Sequence, residues 1–205
     1  MDIKHIYIPS VYTNCFLLAD ESSGAAAVID PGDDVTDSVL RLCTDNGWQL
    51  RCVFLTHGHF DHIGGVSALQ RALPNLPVYL HPGDANCSLP MQNTAGLHNV
   101  KLWRDRDVVP LGALQVEVLS TPGHTKGSVC LRCQDALFTG DTLFAGECGR
   151  TDLHGGSYEE MMASLKRLAE LEGDLRVFPG HEGFSTLEQE RRGNYYMRQA
   201  TGAGL

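Results

Sequence analysis

No apolar run in this chain approaches the roughly 18 residues of a membrane span, and the first twenty residues, interrupted by Asp2, Lys4, His5, Pro9 and Asn14, lack the continuous apolar region of an export signal. A soluble, cytoplasmic protein is therefore expected, with no membrane partner. Positive charge is short as well: 16 Lys and Arg stand against 25 Asp and Glu, a formal charge of −9. That balance argues against a nucleic-acid groove. Cysteine is present without forming a framework. The seven residues, Cys15, Cys43, Cys52, Cys87, Cys130, Cys133 and Cys148, are odd in number and scattered, so reduced thiols are expected. Cys130 and Cys133 form a lone Cys-x-x-Cys in a strand-like stretch, where residues three apart face opposite sides and cannot share a zinc ion. With 205 residues the chain suits one domain, expected over 1–205, with no room for a fused electron-carrying module.

Against these absences stands one crowded stretch, Thr56-His57-Gly58-His59-Phe60-Asp61-His62, directly after the β-branched and apolar run Val53-Phe54-Leu55. Three imidazoles and a carboxylate at this spacing do not serve as core; they are ligands for zinc, iron or manganese. The spacing H-x-H-x-D-H lets a tight turn aim alternate side chains at two points in space, which implies two metals.

Taken in order, Ile3 to Ile8, Asn14 to Ala19 and Ala25 to Ile29 read as strands, the last stopped by Asp30-Pro31-Gly32. Asp33 and Asp34 are placed to cap a helix with Val35, Val39, Leu42 and Cys43 on one face, closed by Gly47. Cys52 to Leu55 is a buried strand that delivers the histidine cluster, and a helix with Val66, Leu69 and Leu73 follows, ended by Pro74. Val78 to Leu80 is a further strand. From Asp84 to Asp107 periodicity is poor, and this segment is expected to be an irregular excursion in which Met91 and Trp103, with Phe144 elsewhere, are candidates to line a cleft. Leu114 to Leu119, Ser128 to Leu131, Ala136 to Phe138 and Leu175 to Phe178 complete the strands. Ser157 and Glu160 predict a capped helix carrying Met161, Leu165 and Leu168 and ended by Gly173; Ser185 and Glu188 predict a closing helix through about Met197. Four of these strands end in glycine-containing loops that present His57 to His62, His124, Asp141 and His181. Loop tips at one sheet edge converge, as active-site residues on a rigid scaffold do.

These residues in this order resemble the metallo-β-lactamase superfamily over Tyr12 to Tyr196. Asn14-Cys15-Phe16-Leu17-Leu18, Ile29-Asp30-Pro31-Gly32, Thr121-Pro122-Gly123-His124-Thr125 and Gly140-Asp141-Thr142-Leu143-Phe144 are similar to its glyoxalase II-like, or hydroxyacylglutathione hydrolase-like, branch of short bacterial type. The resemblance implies an α/β fold, an αββα four-layer sandwich with two mixed sheets face to face and helices outside. It implies that His57, His59 and His124 hold one metal, that Asp61, His62 and His181 hold the other, and that Asp141 bridges them. Zinc is the first expectation, with iron or manganese as alternatives. The implied activity is hydrolysis of a small acyl thioester by a metal-bound hydroxide that Asp61 helps to orient. A thiolate leaving group suits the lack of a separate strong general acid near the motifs. Arg150 matches a basic glutathione contact. The chain departs from the long type of the branch by stopping at Leu205 without a basic helical extension, and by carrying Asp152 and Gly183 where aromatic residues are expected. Within the same fold, a lactonase and a persulfide dioxygenase with a single iron are the alternatives. A true β-lactamase is disfavoured by Asp141, since cysteine commonly stands there, and a non-hydrolytic metal-bearing module by the absence of a redox domain.

Overall fold

The apolar runs of the N-terminal stretch pair antiparallel. In the computed structural model, which describes residues 1–203, β1 (Asp2–Ile8), β2 (Thr13–Asp20) and β3 (Ala25–Ile29) form a meander. The helix α1 (Thr36–Asn46) then crosses over to β4 (Gln49–Phe54), which runs parallel to β3. The one-turn helix α2 (Phe60–Ile63) and α3 (Val66–Ala72) lead to β5 (Val78–Leu80), again parallel. Residues 204 and 205, the end of the domain expected over 1–205, lie outside the described residues.

The segment after Asp84 is less irregular than its sequence predicts. It holds a small hairpin, β6 (Ser88–Leu89) with β7 (Gln92–Asn93), and β8 (Val100–Leu102), which adds to the edge of the first sheet beside β5. Trp103, a candidate for the cleft, instead packs between the sheets at 1% exposure, with its ring 5.3 Å from that of Phe54.

The second sheet is built from β9 (Val108–Leu111), β10 (Leu114–Ser120), β11 (Val129–Cys133), β12 (Ala136–Gly140), β13 (Arg176–Pro179) and β14 (Ser185–Thr186), antiparallel except where β12 runs parallel to β13. Helix α4 (Tyr158–Ala169) makes the crossover, and α5 (Leu187–Gly193) and α6 (Tyr195–Thr201) close the described chain.

Side chains two apart on one strand go to different layers from their neighbours between, and this period fixes the architecture. From β2, Phe16 and Leu18 enter the space between the sheets, where they meet Val116, Val118, Leu131 and Phe138. Leu17 and Ala19 point the other way, into the layer covered by Val39 and Cys43 of α1 and Val66 and Leu69 of α3. Beyond the second sheet, Leu119, Leu137 and Val177 pack on Met161, Leu165 and Leu168 of α4 and on Leu187 and Met197. The result is the four-layer αββα arrangement. Cys130 and Cys133 do face opposite sides, one toward the helices and one between the sheets, and all seven cysteines are free.

The helix ends differ in detail from expectation. In α1 the cap position is Val35, and Asp34 accepts the Thr36 N–H at 3.1 Å; Gly47 does close it with a left-handed conformation, φ 68°. Ser157 caps α4 as predicted, but the helix ends at Ala169 with Glu170 as its C-cap, before Gly173. The closing helix is two helices. Thr186 and Gln189 form the capping box rather than Ser185 and Glu188, because that register buries Leu187 and pairs its N–H with the Leu175 carbonyl at 2.8 Å. The chain then breaks at Asn194, whose side chain caps α6.

Candidate metal centre

β4 delivers Thr56 and the histidine stretch to one end of the sandwich, and β10, β12 and β13 bring His124, Asp141 and His181 to the same place. Two glycines permit the crowding. Gly140 has φ 47°, a left-handed conformation, and a Cβ on it would strike the Thr56 side chain; a Cβ on Gly180 would lie 2.5 Å from His62 Cε1 and 2.6 Å from Asp141 Oδ1.

Every residue of the expected ligand set comes together. His57 Nε2 lies 3.1 Å from His59 Nδ1, which lies 2.8 Å from His124 Nε2. On the other side His181 Nε2 is 3.4 Å from Asp61 Oδ2. Asp141 sits between the groups: its Oδ2 is 3.4 Å from His124 Nε2 and 3.5 Å from His181 Nε2, and its Oδ1 is 3.3 Å from His62 Nε2. The ligand atoms of His57, His59 and His124 fall within 4.8 Å of one another, as do those of Asp61, His62 and His181, and those of His57, His62 and Asp141.

Proton accounting shows that these atoms fit cations. His124 Nδ1–H donates to the Arg150 carbonyl at 2.8 Å, which leaves Nε2 of the neutral ring with a bare lone pair. Thr56 Oγ1–H donates to Asp30 at 2.6 Å and so accepts from His57 Nδ1 at 3.1 Å, leaving the His57 Nε2 lone pair bare too. Both lone pairs face the single nitrogen His59 Nδ1, which can offer one proton at most. Burial, with positive neighbours added, holds His57 well below the usual imidazole range and brings His59 down to about 4, so extra protons do not relieve the crowding. At the second group His181 Nδ1–H donates to the Tyr12 carbonyl and His62 Nδ1–H to Asp30, at 2.8 and 2.9 Å, turning both Nε2 atoms onto carboxylates. His62 Nε2 and Asp141 Oδ1 are buried without a hydrogen-bond partner. Burial opposes a charge on His181, yet bonds to Asp141 and Asp61 carry its pKa up to about 10. Protons there occupy positions that a divalent ion fills with more charge.

Residues that sequence reasoning did not assign hold this set in place. Asp30 accepts the Thr56 N–H at 2.8 Å along with its bonds from Thr56 Oγ1 and His62. Asp84, buried, accepts from Gly58 N at 2.8 Å, Gly127 N at 2.8 Å and Thr125 Oγ1 at 2.7 Å, tying the histidine loop to the His124 loop. Asn14 Nδ2 donates to the carbonyls of Pro179 and Glu182 at 3.0 and 2.9 Å, on either side of His181. The Asp30-Pro31-Gly32 motif was one available signal; for Asp84 there was none, since it lies in the stretch without periodicity.

The centre opens into a cleft of about 1190 Å³. Met91 and Phe144 line it as expected, and so do Tyr7, Tyr12 and Phe60, which the sequence did not mark. Arg150 reaches the cleft, but its guanidinium is clasped by Asp152, Nε to Oδ1 at 2.7 Å and Nη2 to Oδ2 at 2.8 Å. Cys148 also lines the cleft, and burial pushes its thiol up to about 11, the opposite of an activated nucleophile.

Known proteins are similar to this chain in sequence and in fold. The sequence model described as "Metallo-beta-lactamase superfamily" matches residues 9–181. An uncharacterized protein of Mycobacterium tuberculosis is 35% identical over 207 residues, covering 90% of this chain and 92% of the relative. Among solved structures, ETHE1 from Myxococcus xanthus superposes with a TM-score of 0.84 at 30% identity, covering 98% of this chain and 85% of that one. TTHA1623 in a di-iron-bound form gives 0.81 at 33% identity, covering 94% and 99%.

Proposed function

This chain belongs to the metallo-β-lactamase superfamily, and we propose that it is a cytoplasmic, single-domain dinuclear hydrolase of small acyl thioesters, glyoxalase II-like in its chemistry. The observation that carries the reading is Asp141, whose two oxygens face His124 and His181 on one side and His62 on the other, between two sets of three ligands. His57, His59 and His124 would hold one ion, Asp61, His62 and His181 the other, with Asp141 shared. Zinc is the first choice; the likeness to TTHA1623 in its di-iron-bound form supports iron. Divalent ions held there would supply Lewis acidity for an acyl carbonyl and for a water nucleophile near pH 7.

The chain's own residues do the rest. Before any ion binds, the Asp61 carboxyl is already held ionised: burial works against it, but the hydrogen bond with His181 and the charge of His62 outweigh this and lower its pKa. Its carboxylate can accept a hydrogen bond from the attacking water and fix its direction. Asp30 and the Tyr12 and Arg150 carbonyls take the Nδ1–H of His62, His181 and His124, so that each of these three rings would turn an Nε2 lone pair toward a bound ion. A thiolate, with a pKa of about 8.5, leaves without prior protonation, which favours thioesters over amides.

A second reading has one observation in its favour. The first trio is buried, whereas Asp61 and His181 are 19% and 23% exposed, so the second position would bind its ion more weakly. Single-iron persulfide dioxygenation is the activity that arrangement would suit. Turnover of a thioester, a lactone and glutathione persulfide by the metal-replete protein separates the two. Thioester hydrolysis without oxygen uptake is expected; oxygen uptake with persulfide and no thioester hydrolysis would overturn the proposal.

A further inference from the structure

The cleft wall carries a charge pattern that bears on which acyl substrate enters it. Arg150 is the one lysine or arginine among the described residues lining the cleft. One of its two edges able to grip a carboxylate is already filled by Asp152, with both oxygens engaged. Asp152 lies two residues along the same loop, so it competes as an intramolecular ligand, at an effective concentration of about millimolar or more. An incoming carboxylate must displace it or share an arginine whose charge is offset. Glu147 and Glu182 also line the cleft, exposed, and their carboxylates make no hydrogen bond or ion pair among the described residues. One arginine against Asp152, Glu147 and Glu182 leaves two acidic charges in excess on the approach to the centre.

The mouth of the cleft also carries large apolar side chains. Tyr7, Tyr12, Phe60 and Met91 all line the cleft, yet they are 52%, 72%, 43% and 47% exposed. Large apolar side chains scattered singly mean little, but four around one mouth mark a binding surface. Tyr12 is held there by its backbone, at φ 56°, a conformation uncommon for an aromatic residue, and its carbonyl takes the His181 Nδ1–H at 2.8 Å. The backbone that carries this ring to the rim is thereby tied to a ligand of the centre.

We infer that this cleft selects thioesters whose thiol portion is apolar and free of carboxylates over those of glutathione, whose thiol portion ends in two carboxylates. Asp152 is the specificity-determining residue, acting through Arg150. The inference rests on the hydrolase reading for its substrate class, while the charge selection rests on the cleft wall alone.

The test uses the metal-replete enzyme and one acyl group carried on two thiols, glutathione and N-benzoylcysteamine. The expected kcat/KM is at least about 10-fold higher for the neutral thioester, with the preference shrinking as salt is raised. Asp152→Asn frees the guanidinium and is expected to lower the ratio by about fivefold, the effect of one charge-assisted contact. In parallel, calorimetry measures binding of the non-hydrolysable S-benzyl thioethers of the two thiols. Tighter binding of the neutral thioether, with neither thioester turned over, would sustain the charge selection and remove the hydrolase reading. Equal or tighter binding of S-benzylglutathione, binding of neither at millimolar concentration, or a ratio that Asp152→Asn leaves unmoved would overturn the inference.

Discussion

Asp61→Asn is expected to lower kcat by at least about 100-fold while the far-ultraviolet spectrum and Tm stay near those of the parent. The amide keeps the shape of the carboxylate and removes its charge, so the centre loses one anionic ligand and the acceptor that would orient the attacking water. Little of the fold depends on it. Asp61 is 19% exposed, and its close ionic contact is with His181 at 3.4 Å, itself a member of the centre. His98→Ala serves as the control: His98 is exposed and meets Gln70 through its backbone only. Equal losses of kcat in the two variants would contradict the placement of the ligands.

The largest effect on stability is expected from a residue that touches no metal. Asp84→Ala strands the Gly58 N–H and the Gly127 N–H, both buried, and leaves the buried Thr125 hydroxyl only Ser128 Oγ, at 2.8 Å, as partner. Each hydrogen bond to a charged group contributes about 1.5–3 kcal/mol, and unpaired buried donors add to the loss, so destabilisation by about 3–5 kcal/mol is expected. For a chain of this size that lowers Tm by roughly 10 °C. Because Asp84 joins the His57–His62 loop to the His124 loop, metal affinity of the first trio should also fall about 10- to 100-fold. Melting curves with and without chelator, and competition for metal with a chromogenic chelator, check both halves. A loss below about 1 kcal/mol with unchanged metal affinity would show that the loops are set by other contacts. Glycine matters here as well: a Cβ on Gly127 would lie 2.5 Å from Asp84 Cγ, so the carboxylate fits only because that position has no side chain.

The strands and the candidate residues at their ends were legible because both rest on local pattern, whereas the four-layer order and the division of the ligands between two metals were implied by the family resemblance. The continuous apolar run of β2 and the alternation along β10 announce strands, and imidazoles at H-x-H-x-D-H spacing announce ligands before any tertiary contact is known. What was not legible depends on distance. Asp84 meets partners 26 to 43 positions away, and Asp30 meets Thr56 and His62 from 26 and 32 positions away. No local rule connects such pairs. β9 was hidden by Pro110, which reads against a strand and is tolerated there because β9 is the edge of its sheet. At the closing helix two capping patterns stand one residue out of step, and only the need to bury Leu187 decides between them. The clasp of Arg150 by Asp152 was hidden for another reason: the sequence shows both residues, but only side-chain geometry shows that one occupies the other.

The proposal that two ions share Asp141 is tested most directly by titrating the metal-stripped protein with zinc, and separately with ferrous iron under argon, following bound metal and thioester hydrolysis together. The expected result is saturation at about two equivalents, with the second bound more weakly and hydrolysis rising mainly as it binds. Saturation at one tightly held iron, with no second ion taken up and no hydrolysis of any thioester, would contradict it.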